Sequence, residues 1–195
     1  MWRAVGVDGG LTSSDPLRGP PSPKGKAFGE CTERRDLRMD GKRGFFGIGI
    51  FHGKTEANVG TLWRSAAILG ADFIFTIGRR YRHQCSDTMK APRHIPLYNY
   101  ADYDDFFRHL PWNCPVIAVE LADNSVPLER FEHPERCVYL LGAEDQGLPE
   151  SILCRCRDTV QLIGDYCMNV ATAGSIVMYD RAVKTGRGTT SSVSG

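Results

Sequence analysis

The chain of 195 residues predicts an α/β fold, a parallel sheet with helices on both of its faces. Apolar segments of strand length alternate along it with segments whose apolar residues recur at helical spacing. The first strand segment, FFGIGIF at Phe45–Phe51, is apolar on both faces. Strands of that kind are typical of the middle of a parallel sheet, and strand–helix alternation is typical of sheets covered on both sides.

The individual elements follow from periodicity and from helix end signals. Glu56–Leu69 is predicted as the first helix because its apolar residues follow a 3.6-residue period. Thr55 suits its N-cap, and Gly70 suits its end. Further strands are predicted at 72–77, 116–121, 137–141 and 159–163, with a weaker one at 95–98. Further helices are predicted at 102–109 and 169–184.

The domain is predicted to span residues 44–185. Residues 1–43 are rich in Gly, Pro and Ser and then in mixed charge, so a disordered leader is expected there. A disordered tail is expected at 186–195. A translation start at Met39 is an open alternative that would remove most of the leader.

Composition excludes several classes of protein. Lys and Arg number 24 against 23 acidic residues, so nucleic-acid contact requires a local basic patch. The sequence contains neither an apolar run of membrane-spanning length nor a signal peptide. The seven cysteines form no CxxC pair, which favours reduced thiols, and the histidines lack finger-like spacing to them. We therefore expect a cytoplasmic protein without a membrane partner or a metal site.

Three separated segments carry the functional signal. The first is N-x-G-x-x-x-R, in which Gly60 and Arg64 lie one helical turn apart on one face. The second is LGAEDQGLP at 141–149, where a strand end meets a turn and Pro149 suits a helix start. The third, CMNVA at 167–171, places Asn169 as the N-cap of the closing helix.

In this order the segments resemble the three motifs of the SpoU (TrmH-like) family of SPOUT RNA methyltransferases, over roughly residues 44–185. The resemblance implies transfer of a methyl group from S-adenosylmethionine to a ribose 2′-hydroxyl of RNA. It favours tRNA over rRNA, because no appended RNA-binding domain is visible, and DNA is not expected. It also implies a C-terminal trefoil knot and a homodimer formed through the first and last helices.

The resemblance also assigns roles to individual residues. Those for catalysis are Arg64, Asn58, Glu144 and Asn169. Those around the cofactor are Leu141, Gly142, Leu162, Ile163, Cys167, Met168 and Asn169. The helix start after Asn169 is expected to receive the methionine carboxylate of the cofactor. Cys167 stands where the family has serine, which weakens any hydrogen bond made there.

Arg64 has two possible roles, as the base that activates the hydroxyl or as a group that only orients the acceptor. A guanidinium stays protonated unless it is strongly desolvated, so orientation is the preferred role. Glu144 is expected either to accept hydrogen bonds from a ligand or to hold the first segment. Taken alone, both residues would be interpreted as ordinary solvated side chains.

A basic patch follows the second predicted strand. Arg79, Arg80 and Arg82 flank Tyr81, a combination suited to phosphate contact and base stacking, and these arginines are assigned to RNA binding. A solvated loop is the alternative interpretation.

Two other functions remain open at this point. The chain could be a non-catalytic RNA-binding relative, in which Cys167-Met168-Asn169 marks a lost cofactor site. It could also be a nicotinamide-dependent oxidoreductase, because Gly47 and Gly49 imitate a dinucleotide fingerprint. That fingerprint is weak, since both glycines fall inside the first predicted strand.

Overall fold

The computed structural model describes residues 44–81, 95–143, 145–164 and 166–186. Its strands are β1 (Phe45–Phe51), β2 (Phe73–Ile77), β3 (Leu97–Tyr100), β4 (Val116–Val119), β5 (Val126–Pro127), β6 (Arg136–Leu141) and β7 (Asp158–Gln161). Its helices are α1 (Glu56–Leu69), α2 (Tyr103–Arg108), α3 (Glu150–Leu153) and α4 (Val170–Lys184). Within these ranges no helix has the length and apolar character needed to cross a membrane.

The strands form one sheet in the order β3-β2-β1-β6-β4-β7-β5, and every pairing is parallel. The predicted α/β class is therefore confirmed. Because the strands run the same way, the loops that follow them all leave from one edge of the sheet. That edge is where open α/β sheets bind their ligands.

Alternating residues of the central strands enter two separate cores. Cys137, Tyr139 and Leu141 of β6 pack in the core that contains α1 and α4. Val138 and Leu140 pack in the core that contains Phe106 of α2 and Ile152 of α3. Helices thus cover both faces, as the two-residue period of a strand requires.

Helices α1 and α4 pack closely side by side. Gly174 permits this approach, since a Cβ there would lie 2.5 Å from Cδ1 of Leu62. The hydroxyl of Ser175 also donates a 2.8 Å hydrogen bond to the hydroxyl of Ser65. At the end of α1, Gly70 adopts φ 81° and its N–H donates to the carbonyl of Ala66. The predicted C-cap is confirmed.

The end of α4 is anchored by Arg181, a buried arginine with 2% exposure. Its guanidinium donates to the carbonyl oxygens of Pro134 at 2.7 Å and Glu135 at 2.9 Å. It also lies 4.8 Å from the ring centre of Phe46 and donates to the hydroxyl of Tyr139 at 3.2 Å. These partners lie in or just before β1 and β6, so the C-terminal end of α4 is fastened to the sheet.

Gly47 and Gly49 have a packing function inside β1. A Cβ on either glycine would overlap the ring of Phe73 or Phe75 on the neighbouring strand. The two glycines make room for these rings, and neither lies in a turn that approaches a phosphate. The nicotinamide hypothesis therefore loses its only support.

Several element bounds differ from the prediction. Strand β4 ends at Val119 and β7 ends at Gln161, each two residues early, because the chain turns there into the loops of the functional edge. Strand β5 was not predicted, since two residues that include a proline carry no alternating pattern. The weak strand at 95–98 is observed as β3 at 97–100. The trefoil knot stays a prediction, and the leader lies outside the described residues.

Candidate active site

A cleft of about 580 Å³ opens at the carboxyl edge of the sheet, between the loops after β4, β6 and β7 and the start of α4. This volume is within the usual range for a small-molecule site. Six of the predicted cofactor residues line it, namely Leu141, Gly142, Leu162, Ile163, Cys167 and Met168. The structure thus brings the second and third segments together around one cavity, which we call the acidic cleft because four carboxylates line it.

The second segment folds back over the end of β6. The N–H of Gly147, at φ 59°, donates to the carbonyl of Ala143 at 3.0 Å. A Cβ on Gly142 would overlap the backbone of Gly147, so the missing side chain permits this turn. Glu144, assigned to catalysis, lies outside the described residues.

Glu120, which directly follows the neighbouring strand β4, stabilises the same turn. Sequence reasoning missed this residue. One carboxylate oxygen accepts the N–H of Leu148 at 2.8 Å, and the other accepts the N–H of Leu121 at 3.1 Å. A Cβ on Gly147 would lie 2.6 Å from the first of these oxygens. The prediction that this strand continues to residue 121 placed Glu120 inside the strand, so its role in the turn was not predicted. The sequence signal for this role was a carboxylate near the end of a buried strand.

The third segment connects to the first through two asparagines. The side-chain oxygen of Asn169 accepts the N–H groups of Ala171 at 3.0 Å and Thr172 at 3.3 Å, which confirms it as an N-cap. Its amide nitrogen donates to the side-chain oxygen of Asn58 at 3.0 Å. Asn169 therefore caps α4 and does not line the acidic cleft. The N–H groups of Ala171 and Thr172 are thus occupied by the cap, and the binding of a cofactor carboxylate at this helix start stays a prediction.

Arg64 is exposed on α1 and makes no hydrogen bond or ion pair with any described residue. It is also not among the lining residues of the acidic cleft in its own chain. One turn further, Ile68 is 64% exposed. The adjacent α4 exposes Ile176, Tyr179 and Val183, which follow helical spacing. Arg64 thus lies beside an apolar surface formed by α1 and α4.

A second cleft of about 440 Å³ lies at the same edge of the sheet, beside β2 and the start of α1. Its described lining includes Lys54, Arg79, Arg80 and Tyr81, and the one acidic residue among these described positions is Glu56. Two of the arginines assigned to RNA thus meet here, and we call this the basic cleft. Arg82 lies outside the described residues.

The lining of the acidic cleft has the opposite charge. Glu120, Asp123, Asp145 and Glu150 line it, and its described lining contains no Lys, Arg or His. One ion pair connects the two clefts, since Nζ of Lys54 lies 2.5 Å from a carboxylate oxygen of Asp145. The hydrogen bond from Lys54 lowers the pKa of Asp145. Sequence reasoning did not connect these two residues, which are 91 positions apart.

The described cysteines are Cys114, Cys137, Cys154, Cys156 and Cys167, and all are free. Cys167 is exposed at the acidic cleft. No group of three or more His, Cys, Asp or Glu side chains in the described ranges is placed to hold a metal ion.

Comparison with known structures supports the fold. The chain is similar to an AdoMet-bound rRNA methyltransferase from Sinorhizobium meliloti, with 22% identity, TM-score 0.62 and coverage of 72% of this chain and 57% of that one. It is similar to a TrmH/SpoU tRNA modifying enzyme from A. aeolicus, with 18% identity, TM-score 0.64 and coverage of 75% and 79%. A structure that concerns the 2-OH methylation of C/U34 on tRNA is similar as well, with 21% identity and TM-score 0.63. The match covers 74% of this chain and 99% of that one.

These likenesses establish the fold, and the family follows from the sequence match. The chain spans 57% of the length of the Sinorhizobium enzyme. No curated protein matches it. The model of the SpoU rRNA methylase family matches residues 48–179, well over half of the chain and all three segments. The chain therefore belongs to the SpoU rRNA methylase family.

Proposed function

We propose that this protein transfers a methyl group from S-adenosylmethionine to a ribose 2′-hydroxyl of RNA. The observation that carries the proposal is the division of charge at the functional edge. An acidic cleft built by the second and third segments adjoins a basic cleft beside the first. Two adjoining clefts of opposite charge suit two ligands of opposite charge: a cationic methyl donor in the acidic cleft and a polyanionic acceptor in the basic cleft.

The acidic cleft fits S-adenosylmethionine in charge and in surface. Its carboxylates suit the sulfonium and ammonium groups of the donor. Exposed apolar side chains at its rim, Leu121 (50%), Met168 (41%) and Ile163 (79%), offer a flat adenine a surface to cover. The bound donor would supply an activated methyl group with its own leaving group, so the protein contributes proximity and orientation.

The basic cleft suits the RNA strand. Arg79 and Arg80 can donate paired hydrogen bonds to phosphate oxygens, and Tyr81 offers a ring for stacking. The ring of Tyr81 already packs edge-on against Trp63, with ring centres 6.0 Å apart. We favour tRNA over rRNA as the substrate. Two of the similar structures are of proteins that concern tRNA modification, whereas the Sinorhizobium enzyme is an rRNA methyltransferase.

Arg64 acts on the acceptor only if a second copy of the chain brings it to an acidic cleft. The apolar surface around Ile68, Ile176, Tyr179 and Val183 supports a homodimer formed through α1 and α4. In such a dimer the guanidinium of one copy would face the cleft of the other and orient the sugar.

The proposal is tested by two measurements on the same preparation. Isothermal titration calorimetry should show binding of S-adenosylmethionine, and nucleoside mass spectrometry should show 2′-O-methylated nucleosides in RNA incubated with protein and donor. RNA binding without heat or thermal shift from the donor would support the non-catalytic relative instead. A methyl group found on a base would contradict the ribose assignment.

A further inference from the structure

We propose that Lys54, with Arg79 and Arg80, forms a binding site for a backbone phosphate of the RNA. Asp145 forms an ion pair with Lys54 until this phosphate displaces the carboxylate of Asp145. The inference rests on the proposed function, because it assumes that the basic cleft receives RNA. It adds a residue pair that neither the motifs nor the basic patch indicated.

The geometry places three cations around one cavity. Lys54, Arg79 and Arg80 all line the basic cleft, and all three are exposed. The guanidinium of Arg79 donates a 3.0 Å hydrogen bond to the backbone carbonyl of Lys54. This bond fixes the backbone of Lys54 beside Arg79. The flexible side chain of Lys54 can turn toward either cleft.

Asp145 belongs to the other cavity. It lines the acidic cleft, and its carboxylate reaches across to the ammonium of Lys54. The pair is accessible to water, with side-chain exposures of 57% for Lys54 and 46% for Asp145. An exposed pair of this kind contributes little to stability, so a competing anion can separate it.

A phosphate has the advantage in this competition. Asp145 offers its carboxylate to Lys54 alone among the three cations, whereas a phosphate in the basic cleft can accept hydrogen bonds from the ammonium and from both guanidinium groups. Release of counterions from the nucleic acid adds to the gain. Asp145 therefore acts as an internal competitor for the RNA, and its removal should strengthen RNA binding.

The test compares two carboxylate removals that change net charge equally. Asp145→Asn breaks the pair with Lys54. The matched control, Asp104→Asn, breaks an exposed pair in which Nη1 of Arg155 lies 2.6 Å from Asp104, and neither of these residues lines a cleft. Binding of fluorescein-labelled bulk tRNA is measured by anisotropy over a range of salt concentrations. Thermal unfolding confirms that each variant is folded.

We expect Asp145→Asn to tighten binding by roughly threefold or more and Asp104→Asn to change it by less than about twofold. Lys54→Gln should weaken binding and lower the salt slope by about one, as the loss of one phosphate contact requires. The gain from Asp145→Asn should vanish in the Lys54→Gln background.

Equal effects of the two asparagine variants would overturn the inference, as would a gain that persists without Lys54. In either case the wild-type protein would still bind RNA, and the proposed function would stand. Absence of RNA binding by the wild-type protein would overturn both proposals.

Discussion

The side-chain amide of Asn169 donates a 3.0 Å hydrogen bond to the side-chain oxygen of Asn58, 111 residues earlier in the chain. This contact joins the start of α1 to the start of α4. It therefore fixes the first segment relative to the cleft that the second and third segments form. Because Asn169 also caps α4, a single side chain maintains both the helix start and the connection.

The two asparagines should contribute unequally to stability. Asn169→Ala removes the cap and the connection, and we expect a loss of about 1–2 kcal/mol in the free energy of unfolding. Asn58→Ala removes the connection and leaves the cap in place, and it should cost about 0.5–1 kcal/mol. Urea denaturation of both single variants and the double variant gives their coupling energy. Strictly additive effects would show that the hydrogen bond contributes nothing.

Arg64→Ala should abolish methyl transfer while leaving the affinity for S-adenosylmethionine unchanged. The side chain is exposed and lies outside the acidic cleft of its own chain. In the proposed dimer it orients the sugar of the acceptor and not the donor, so its loss should remove no cofactor contact. We expect turnover to fall on the order of 100-fold, typical of a lost group that stabilises the transition state.

The control for this variant is Arg108→Ala, which removes an exposed arginine at the end of α2. Its turnover should equal that of the wild-type protein. Unchanged turnover in Arg64→Ala would remove this arginine from the mechanism. Reduced cofactor affinity in Arg64→Ala would instead indicate that the side chain contacts the donor.

Glu120→Ala should weaken cofactor binding without changing RNA binding. It leaves the N–H groups of Leu148 and Leu121 without their acceptor, and the turn at Gly147 loses the carboxylate that holds it. We expect the dissociation constant to rise about tenfold, the effect of roughly 1.4 kcal/mol. Calorimetry measures it, and hydrogen exchange at Leu148 should accelerate in parallel.

Glu120→Gln should give an intermediate result, because the amide retains one acceptor oxygen. Glu129→Ala is the matched control, since Glu129 is exposed in the short turn after β5 and does not line the cleft. Equal cofactor affinity in Glu120→Ala and Glu129→Ala would contradict the positioning role.

His133 should make the protein less stable as the pH falls. Its ring bonds the hydroxyl of Tyr139 at 2.6 Å and the carboxylate of Asp180 at 2.8 Å. Burial lowers the pKa of His133, and the charges of Arg181 and Lys184 lower it further, while the hydrogen bond to Asp180 opposes them. The native state therefore binds this proton less readily than the unfolded chain does.

The sign of the effect follows from this difference. Histidine in the unfolded chain titrates near pH ~6.5, so the stabilisation is present above that pH and is lost as the pH falls below it. Urea denaturation at about pH 7.5 and 5.5, on either side of that value, should show a smaller decline for His133→Gln than for the wild-type protein. The control is His109→Gln, at an exposed position. Equal declines in both variants would refute the assignment.

Local signals predicted much of the fold. The bounds of α1 were predicted correctly because its periodicity, Thr55 and Gly70 all indicate the same segment, although the hydroxyl of Thr55 makes no capping hydrogen bond. Strand β1 was predicted correctly because a segment apolar on both faces fits only the middle of a parallel sheet.

The parts of the site that sequence did not predict depend on distant contacts. Glu120 acts on Leu148, and Lys54 acts on Asp145, in each case between loops that only the strand order brings together. No local pattern encodes such a partnership. Gly142 is predicted to lie beside the cofactor, and the structure adds that its missing side chain makes room for the turn at Gly147.

The anchoring of Arg181 has a consequence for how the acidic cleft can be disturbed from a distance. Its guanidinium holds the far end of α4 by donating to the carbonyls of Pro134 and Glu135. A change that releases this end would reach the helix start, where Val170 and Ala173 line the cleft. Affinity for the methyl donor would then depend on a buried arginine that does not line the cleft.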